Sequence, residues 1–157
     1  VNIATWNFDD DATNESGELT GLVVGIREGE TEISATLSSY ISSNNWSSST
    51  TADYSARQFY IAGINLSAYQ NIKLQFKARA SQVGNIDVAY QIGTADPVSI
   101  YSTNLPKASY KTSDEISLPA ATQVNNVTLI FTPYNIAAGT TTLRLDDITI
   151  TGVPTST

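Results

Sequence analysis

The segment Ile72-Lys73-Leu74-Gln75-Phe76-Lys77-Ala78-Arg79-Ala80 alternates apolar and polar residues without a break. A period of two puts successive side chains on opposite faces of a strand. Ile72, Leu74, Phe76 and Ala78 are therefore predicted to face a core, and Lys73, Gln75, Lys77 and Arg79 to face out. The same rhythm runs from Ile86 to Ile92, after a turn predicted at Val83-Gly84-Asn85, and again through Val127, Leu129 and Phe131. Strands are also expected near Leu19 to Ile26, Glu32 to Leu37, Arg57 to Ile61, Val98 to Tyr101 and Glu115 to Leu118. No long apolar stripe of helical period competes with this pattern, and β-branched residues, Ser and Asn are scattered throughout. Asn65 to Tyr69 is expected to make a single turn before the Ile72 strand. With a strand at each end of the chain, about nine or ten short strands predict an all-β, two-sheet antiparallel sandwich.

Composition narrows the function. The chain has 157 residues, a length that fits one domain with one core. It contains no Cys and no His. That removes thiol catalysis, thiolate metal sites, serine–histidine triads and imidazole-bound zinc. Acids are present for a glycosidase, but no pair is marked out by the sequence, so the protein is not expected to be an enzyme. The formal net charge of −7 would repel a phosphate backbone, which argues against nucleic acid as a partner. Only 15% of residues are charged, and the abundant Ser, Thr and Asn give the uncharged polar surface common in extracellular bacterial modules. No stretch is long and apolar enough for a transmembrane helix. The start at Val1 is read as that of a mature or excised fragment. Residues 1–152 are expected to form the module, and Val153-Pro154-Thr155-Ser156-Thr157 to begin a linker to a further domain.

The two ends carry a resemblance. The chain opens with Ile3-Ala4-Thr5-Trp6-Asn7-Phe8 and then Asp9-Asp10-Asp11; it closes with Leu143-Arg144-Leu145-Asp146-Asp147-Ile148-Thr149-Ile150-Thr151-Gly152. These runs resemble the terminal strands of the jelly-roll β-sandwich modules attached to secreted bacterial polysaccharide-degrading enzymes, the carbohydrate-binding modules among them. Many of those begin with W-x-F-[DE] and end with L-D-[DN]-[IV]-x-[IV]-x-G. The resemblance implies a jelly roll in which the first and last strands lie together. It also implies a structural calcium held by Asp9 and Asp146, with Asp147 and Asp10 as substitutes, because hard carboxylate and carbonyl oxygens suit that ion. The other reading of these acids is a solvated turn at Asp9-Asp10-Asp11 and an Asp146 that bonds backbone amides.

The expected binding surface follows from the alternation. Lys73, Gln75 and Lys77 form an outward polar ladder, which Asp87 and Gln91 extend if the next strand pairs beside it. Such arrays of amide, ammonium and carboxylate groups match sugar hydroxyls, and aromatic rings stack on the apolar faces of pyranoses. Trp46 or Tyr101 is expected at the edge of this face, with Tyr60 among the tyrosines near strand ends. Trp46 lies in the Ser/Asn-rich stretch Ser42 to Ala52 and is either a plug on one end of the sandwich or an exposed stacking platform. Lys73, Lys77 and Arg79 make a local positive stripe that would suit an acidic glycan; a neutral glycan bound through Trp and Tyr is the other reading. The expected function is that of a non-catalytic carbohydrate-binding module that targets a covalently attached secreted enzyme to polysaccharide. The alternative is a structural or adhesive cell-surface module.

Overall fold

The computed structural model describes residues 1–155 and consists of two antiparallel sheets packed face to face, a jelly-roll sandwich. One sheet has seven strands: β1 (Asn2–Trp6), β4 (Thr36–Leu37), β5 (Ile41–Ser43), β7 (Tyr69–Ala80), β10 (Lys111–Thr112), β11 (Ile116–Ser117) and β13 (Leu143–Pro154). The other has six, in the order β3 (Thr31–Ile33), β2 (Val24–Glu28), β6 (Arg57–Ile64), β12 (Val127–Tyr134), β8 (Gly84–Ile92), β9 (Val98–Leu105). The only helical element among the described residues is a 3-10 turn at Ala120–Thr122. Asn65 to Tyr69 makes the expected turn, closed by the Tyr69 N–H on the Leu66 carbonyl at 3.1 Å.

β13 organises the seven-stranded sheet. It pairs with β7 on one side; on the other it pairs first with β5, through Leu143 to Leu145, and then with β1, through Ile148 to Thr151. The chain's two ends are thus joined as expected. Asp146 and Asp147 fall where the neighbour changes from β5 to β1. The β7 register shifts there, and Asp147 takes a φ of 47°. β13 also outlasts its expected end at Gly152. Val153 and Pro154 still pair with Gln70 and Tyr69, and the Thr155 N–H donates to the Ala68 carbonyl at 2.9 Å. Of the expected linker, Ser156 and Thr157 lie outside the described residues.

The core forms between the sheets from the residues that the alternation points inward. Ile72, Leu74, Phe76 and Ala78 of β7 face Phe59 and Ile61 of β6 and Val127, Leu129 and Phe131 of β12, all buried. Phe76 meets Phe131 edge to face at 5.2 Å, which bonds one sheet to the other. Each such side chain contributes about 1.5–3 kcal/mol by leaving water.

Candidate functional site

The predicted five-residue face does not exist as one surface. The chain crosses from one sheet to the other at Ser81–Val83, so β7 and β8 never pair. Lys73, Gln75 and Lys77 lie on the outer face of the seven-stranded sheet; Asp87 and Gln91 lie on the outer face of the six-stranded sheet, on the far side of the molecule. Lys73 donates to Ser117 Oγ at 2.6 Å, Gln75 donates to the Ser113 carbonyl at 3.0 Å, and Lys77 pairs with Asp147 at 3.2 Å. Two aromatic expectations also need correction. Trp46 is 4% exposed, stacks on Phe59 at 4.8 Å and donates from Nε1 to the Ser43 carbonyl. It plugs the core and has no free face to stack on a sugar. Tyr101 points inward beside Phe76 at 6.4 Å, because it pairs with the core-facing Val88. Tyr60 does reach the outer face of the six-stranded sheet, together with Asp87 and Gln91.

That face carries an unbroken polar row across all six strands. Glu32 of β3 pairs in register with Arg27 of β2, and Arg27 with Gln58 of β6. Gln58 Nε2 donates to Thr132 Oγ1 of β12 at 3.4 Å; Thr132 pairs with Asp87 of β8, and Asp87 with Ser102 of β9. At about 4.8 Å between strands the row runs roughly 24 Å. Its middle is not an ordinary solvated sheet surface. Gln58, Thr132 and Asp87 are 1%, 0% and 4% exposed although they point away from the core. Gln58 and Asp87 are each held from two sides. Arg27 Nε donates to Gln58 Oε1 at 2.8 Å, and Gln58 Nε2 reaches the Tyr54 carbonyl at 3.0 Å. Asp87 accepts from the Tyr54 hydroxyl at 2.9 Å and from Ser99 Oγ at 2.6 Å. A buried carboxylate with both oxygens bonded is fixed in position.

The next row toward the chain's Tyr60 is smooth: Gly25, Tyr60, Ile130 and Ala89 pair in sequence across β2, β6, β12 and β8. The Tyr60 ring leans across Gly25, where a Cβ would stand 2.9 Å from the ring carbon Cε1. Only glycine leaves that room. The Arg27 guanidinium lies 4.3 Å from the ring centroid, within cation–π range. Polar row and smooth row lie side by side. Burial shapes the charges: it lowers the Arg27 pKa, opposed by Glu32, and it pushes the Tyr54 phenol up to about 12, helped by the Asp87 carboxylate. Tyr54 therefore remains a donor across the physiological range.

A second polar region lies at the β1–β13 edge. Glu15 is shifted up, first by burial and then by Asp9, Asp147 and Asp10, against a hydrogen bond from the Asn7 backbone. Asp146 is pushed up to about 6, first by burial, then by Asp147 and Asp9 against the opposing Asp147 N–H and Lys77. A cavity of about 240 Å³ lies beside them, lined by Asn7, Asp10, Asp11, Thr13, Asn14 and Glu15. Among the described residues no three acidic side chains converge as a metal cage. Asp146 Oδ1 accepts from the Asp147 N–H at 2.8 Å.

Arg27, Gln58 and Thr132 were not singled out from the sequence. The signal for Gln58 was present, because Arg57-Gln58-Phe59-Tyr60-Ile61 alternates and puts Gln58 on the face of Tyr60. Nothing in the sequence indicates that Tyr54 folds back over Asp87.

No family model matches the chain, and no curated protein sequence does either. Solved structures match its fold. The N-terminal cellulose-binding domain of Cellulomonas fimi β-1,4-glucanase C is similar with a TM-score of 0.58 at 13% identity, over 85% of this chain and 90% of that one. A structure described as "CBM4 structure and function" is similar at 0.55 and 20% identity, over 94% and 84%. The K3 cleaved adhesin domain of Lys-gingipain from Porphyromonas gingivalis is similar at 0.59 and 12% identity, over 96% and 99%. The chain thus has the jelly-roll sandwich fold found in carbohydrate-binding modules.

Proposed function

We propose that the protein is a non-catalytic carbohydrate-binding module that holds a polysaccharide along the outer face of the six-stranded sheet. The observation that carries this reading is the buried row Gln58-Thr132-Asp87, in register on a face that points away from the core and bonded at one end to the half-buried Arg27. Ile130 and Ala89 are themselves 1% and 0% exposed, so with the buried row they form a floor that fixes the half-buried Tyr60 ring and Arg27 guanidinium, the stacking and hydrogen-bonding groups offered to a sugar. The likeness in fold to the cellulose-binding domain supports the same reading.

The row does not favour glycoside hydrolysis. Its two carboxylates, Glu32 and Asp87, are four strand spacings apart, about 19 Å, whereas hydrolysis needs roughly 5–9.5 Å between them. We further propose an extracellular module joined to catalytic or surface domains. The Ser/Thr/Asn-rich, weakly charged composition supports this, as does the place of the similar domain within a glucanase. A calcium ion at Asp9, Asp146 and Asp147 is also a proposal. The upward shifts of Glu15 and Asp146 beside these aspartates support it; Lys77, which already gives Asp147 a cation, opposes it.

The test is affinity electrophoresis in gels containing cellulose derivatives, mixed-linkage β-glucan or xylan. Retardation by at least one, weakened about tenfold in Tyr60→Ala with an unchanged melting temperature, is the expected result. Retardation by none would favour the structural or adhesive reading, which the likeness to the Lys-gingipain adhesin domain supports.

A further inference from the structure

The outer face of the seven-stranded sheet carries a feature that glycan binding on the opposite face does not use. Arg144 of β13 pairs in direct register with Arg79 of β7, and on its other side with Ser42 of β5. Arg79 and Arg144 alternate with the core residues Ala78, Ala80, Leu143 and Leu145, so both guanidinium groups point outward. Like charges directly opposite each other in a sheet are destabilising. The ion pairs among the described residues are Arg57–Glu28 and Lys77–Asp147, so neither Arg79 nor Arg144 is neutralised by a carboxylate. The acid that follows Arg144 on this face, Asp146, is paired in register with Lys77. The Arg144 guanidinium lies over the Tyr40 ring, 4.2 Å from its centroid, which fixes the plane of its donors.

Beside this pair is a cavity of about 250 Å³ lined by Ser34, Thr36, Ser42, Ser43, Asn44 and Thr142. Its lining is hydroxyl and amide, without a charge. Two of these residues tie it to the arginines. Ser42 is the register partner of Arg144, and Thr142 is the residue just before β13, two positions ahead of Arg144. Thr36 extends the row, paired with Ser42.

We propose that this face is a second binding site, for an acidic glycan: a carboxylate or sulfate ester held by Arg79 and Arg144, with the adjoining sugar in the hydroxyl-lined cavity. Planar guanidinium forks bind such oxyanions in bidentate fashion. An oxyanion between the two arginines also removes the repulsion that the empty pair carries. The chain's net charge of −7 does not prevent this. At about 0.15 M salt the Debye length is roughly 8 Å, which screens the distant acids, and the one acid near Arg144 on this face, Asp146, is set in register against Lys77.

The experiment is affinity electrophoresis at 0.15 M and 0.5 M salt, with polygalacturonate in one gel and dextran sulfate in another. The proteins are the parent, Arg79→Gln, Arg144→Gln, Lys73→Gln and Tyr60→Ala. The parent should be retarded by at least one polymer and lose that retardation at high salt. Both arginine variants should bind about tenfold more weakly or worse, the loss expected for one charge-assisted contact. Lys73→Gln and Tyr60→Ala should behave as the parent. Retardation by polygalacturonate alone assigns a carboxylate, by dextran sulfate alone a sulfate ester. The melting temperature of Arg79→Gln should match or exceed that of the parent, because a repulsion has been removed. Retardation by neither polymer, equal retardation of the arginine variants, or a marked loss of stability in Arg79→Gln would each overturn the proposal. Tyr60→Ala with neutral glycans reads the other face, so failure of one site leaves the other standing.

Discussion

The Tyr54 hydroxyl donates a 2.9 Å hydrogen bond to Asp87 Oδ2 and joins the loop before β6 to the middle of β8. The bond brings a carboxylate out of water on the sheet's outward face and fixes its position. Ser99 satisfies the other oxygen, so the pair depends on no counter-ion.

Tyr54→Phe removes this donor and leaves a buried carboxylate short of one partner. The expected cost is about 1.5–3 kcal/mol, a drop of several degrees in melting temperature for a domain of this size. The pH profile carries the same information. The Tyr54 phenol is pushed from 10.0 to about 12 in the folded protein. The folded state therefore keeps a proton that the unfolded chain gives up, and parent stability should fall as pH rises from 10 toward 12. That fall should be shallower in Tyr54→Phe, measured by chemical denaturation at stepped pH. Equal slopes would remove the bond from the account.

Trp46→Ala tests the corrected position of this ring. As a core plug against Phe59, its loss should cost about 3–5 kcal/mol, read by urea denaturation. Trp6 is also buried, donating from Nε1 to the Leu22 carbonyl. Neither tryptophan touches the outer face of the six-stranded sheet, so a bound neutral glycan should leave the tryptophan emission maximum in place. A shift on binding would put a tryptophan at the site.

Gly25→Ala tests the smooth strip. The added Cβ would stand 2.9 Å from the Tyr60 ring, which can yield by tilting at its χ angles together with the Arg27 guanidinium 4.3 Å from its centroid. The variant should fold with a change within about 1 kcal/mol. It should bind a confirmed neutral glycan several-fold more weakly, because the stacking surface is displaced. Unchanged affinity would show that Tyr60 does not need to lie flat on β2.

These positions also show what could be read from the sequence. The alternation in β7 assigned Ile72, Leu74 and Phe76 to the core, because a period of two leaves no other arrangement for a half-buried strand. The pairing of β1 with β13 was likewise legible in the terminal motifs. Which sheet β8 joins was not, since a short turn after Ala80 serves a hairpin and a sheet crossing equally well, and the alternation is the same in both. That ambiguity merged Lys73, Gln75 and Lys77 with Asp87 and Gln91 into one expected face. The burial of Asp87 depends on Tyr54 and Ser99, which are distant in sequence. Trp46 looked loop-like because its stacking partner, Phe59, is also not its neighbour in the chain.

The acidic edge gives a prediction whose sign depends on calcium. The Asp146 carboxyl is pushed up to about 6, chiefly by burial; an unfolded aspartate titrates near 3.9. Between those values the folded state binds the proton more tightly, so without calcium stability should fall as pH rises from about 4 through 6. Above that range the ionised carboxylate is a net cost to the fold. Asp146 is partly open to water, which screens the effect, so the cost is on the order of 1 kcal/mol rather than the full equivalent of the shift. In chelator at pH 7.5, Asp146→Asn should therefore melt slightly above the parent, and at pH 4.5 the difference should shrink. Millimolar calcium should reverse this order if the ion binds here, because the parent then gains stability and Asp146→Asn gains little. Melting curves at the two pH values, each with chelator and with calcium, separate the outcomes. A parent indifferent to calcium rejects the ion and leaves Asp146 as a carboxylate that bonds its neighbour's N–H. A variant less stable than the parent in chelator would mean that the Asp147 N–H bond outweighs burial, against the direction of the shift.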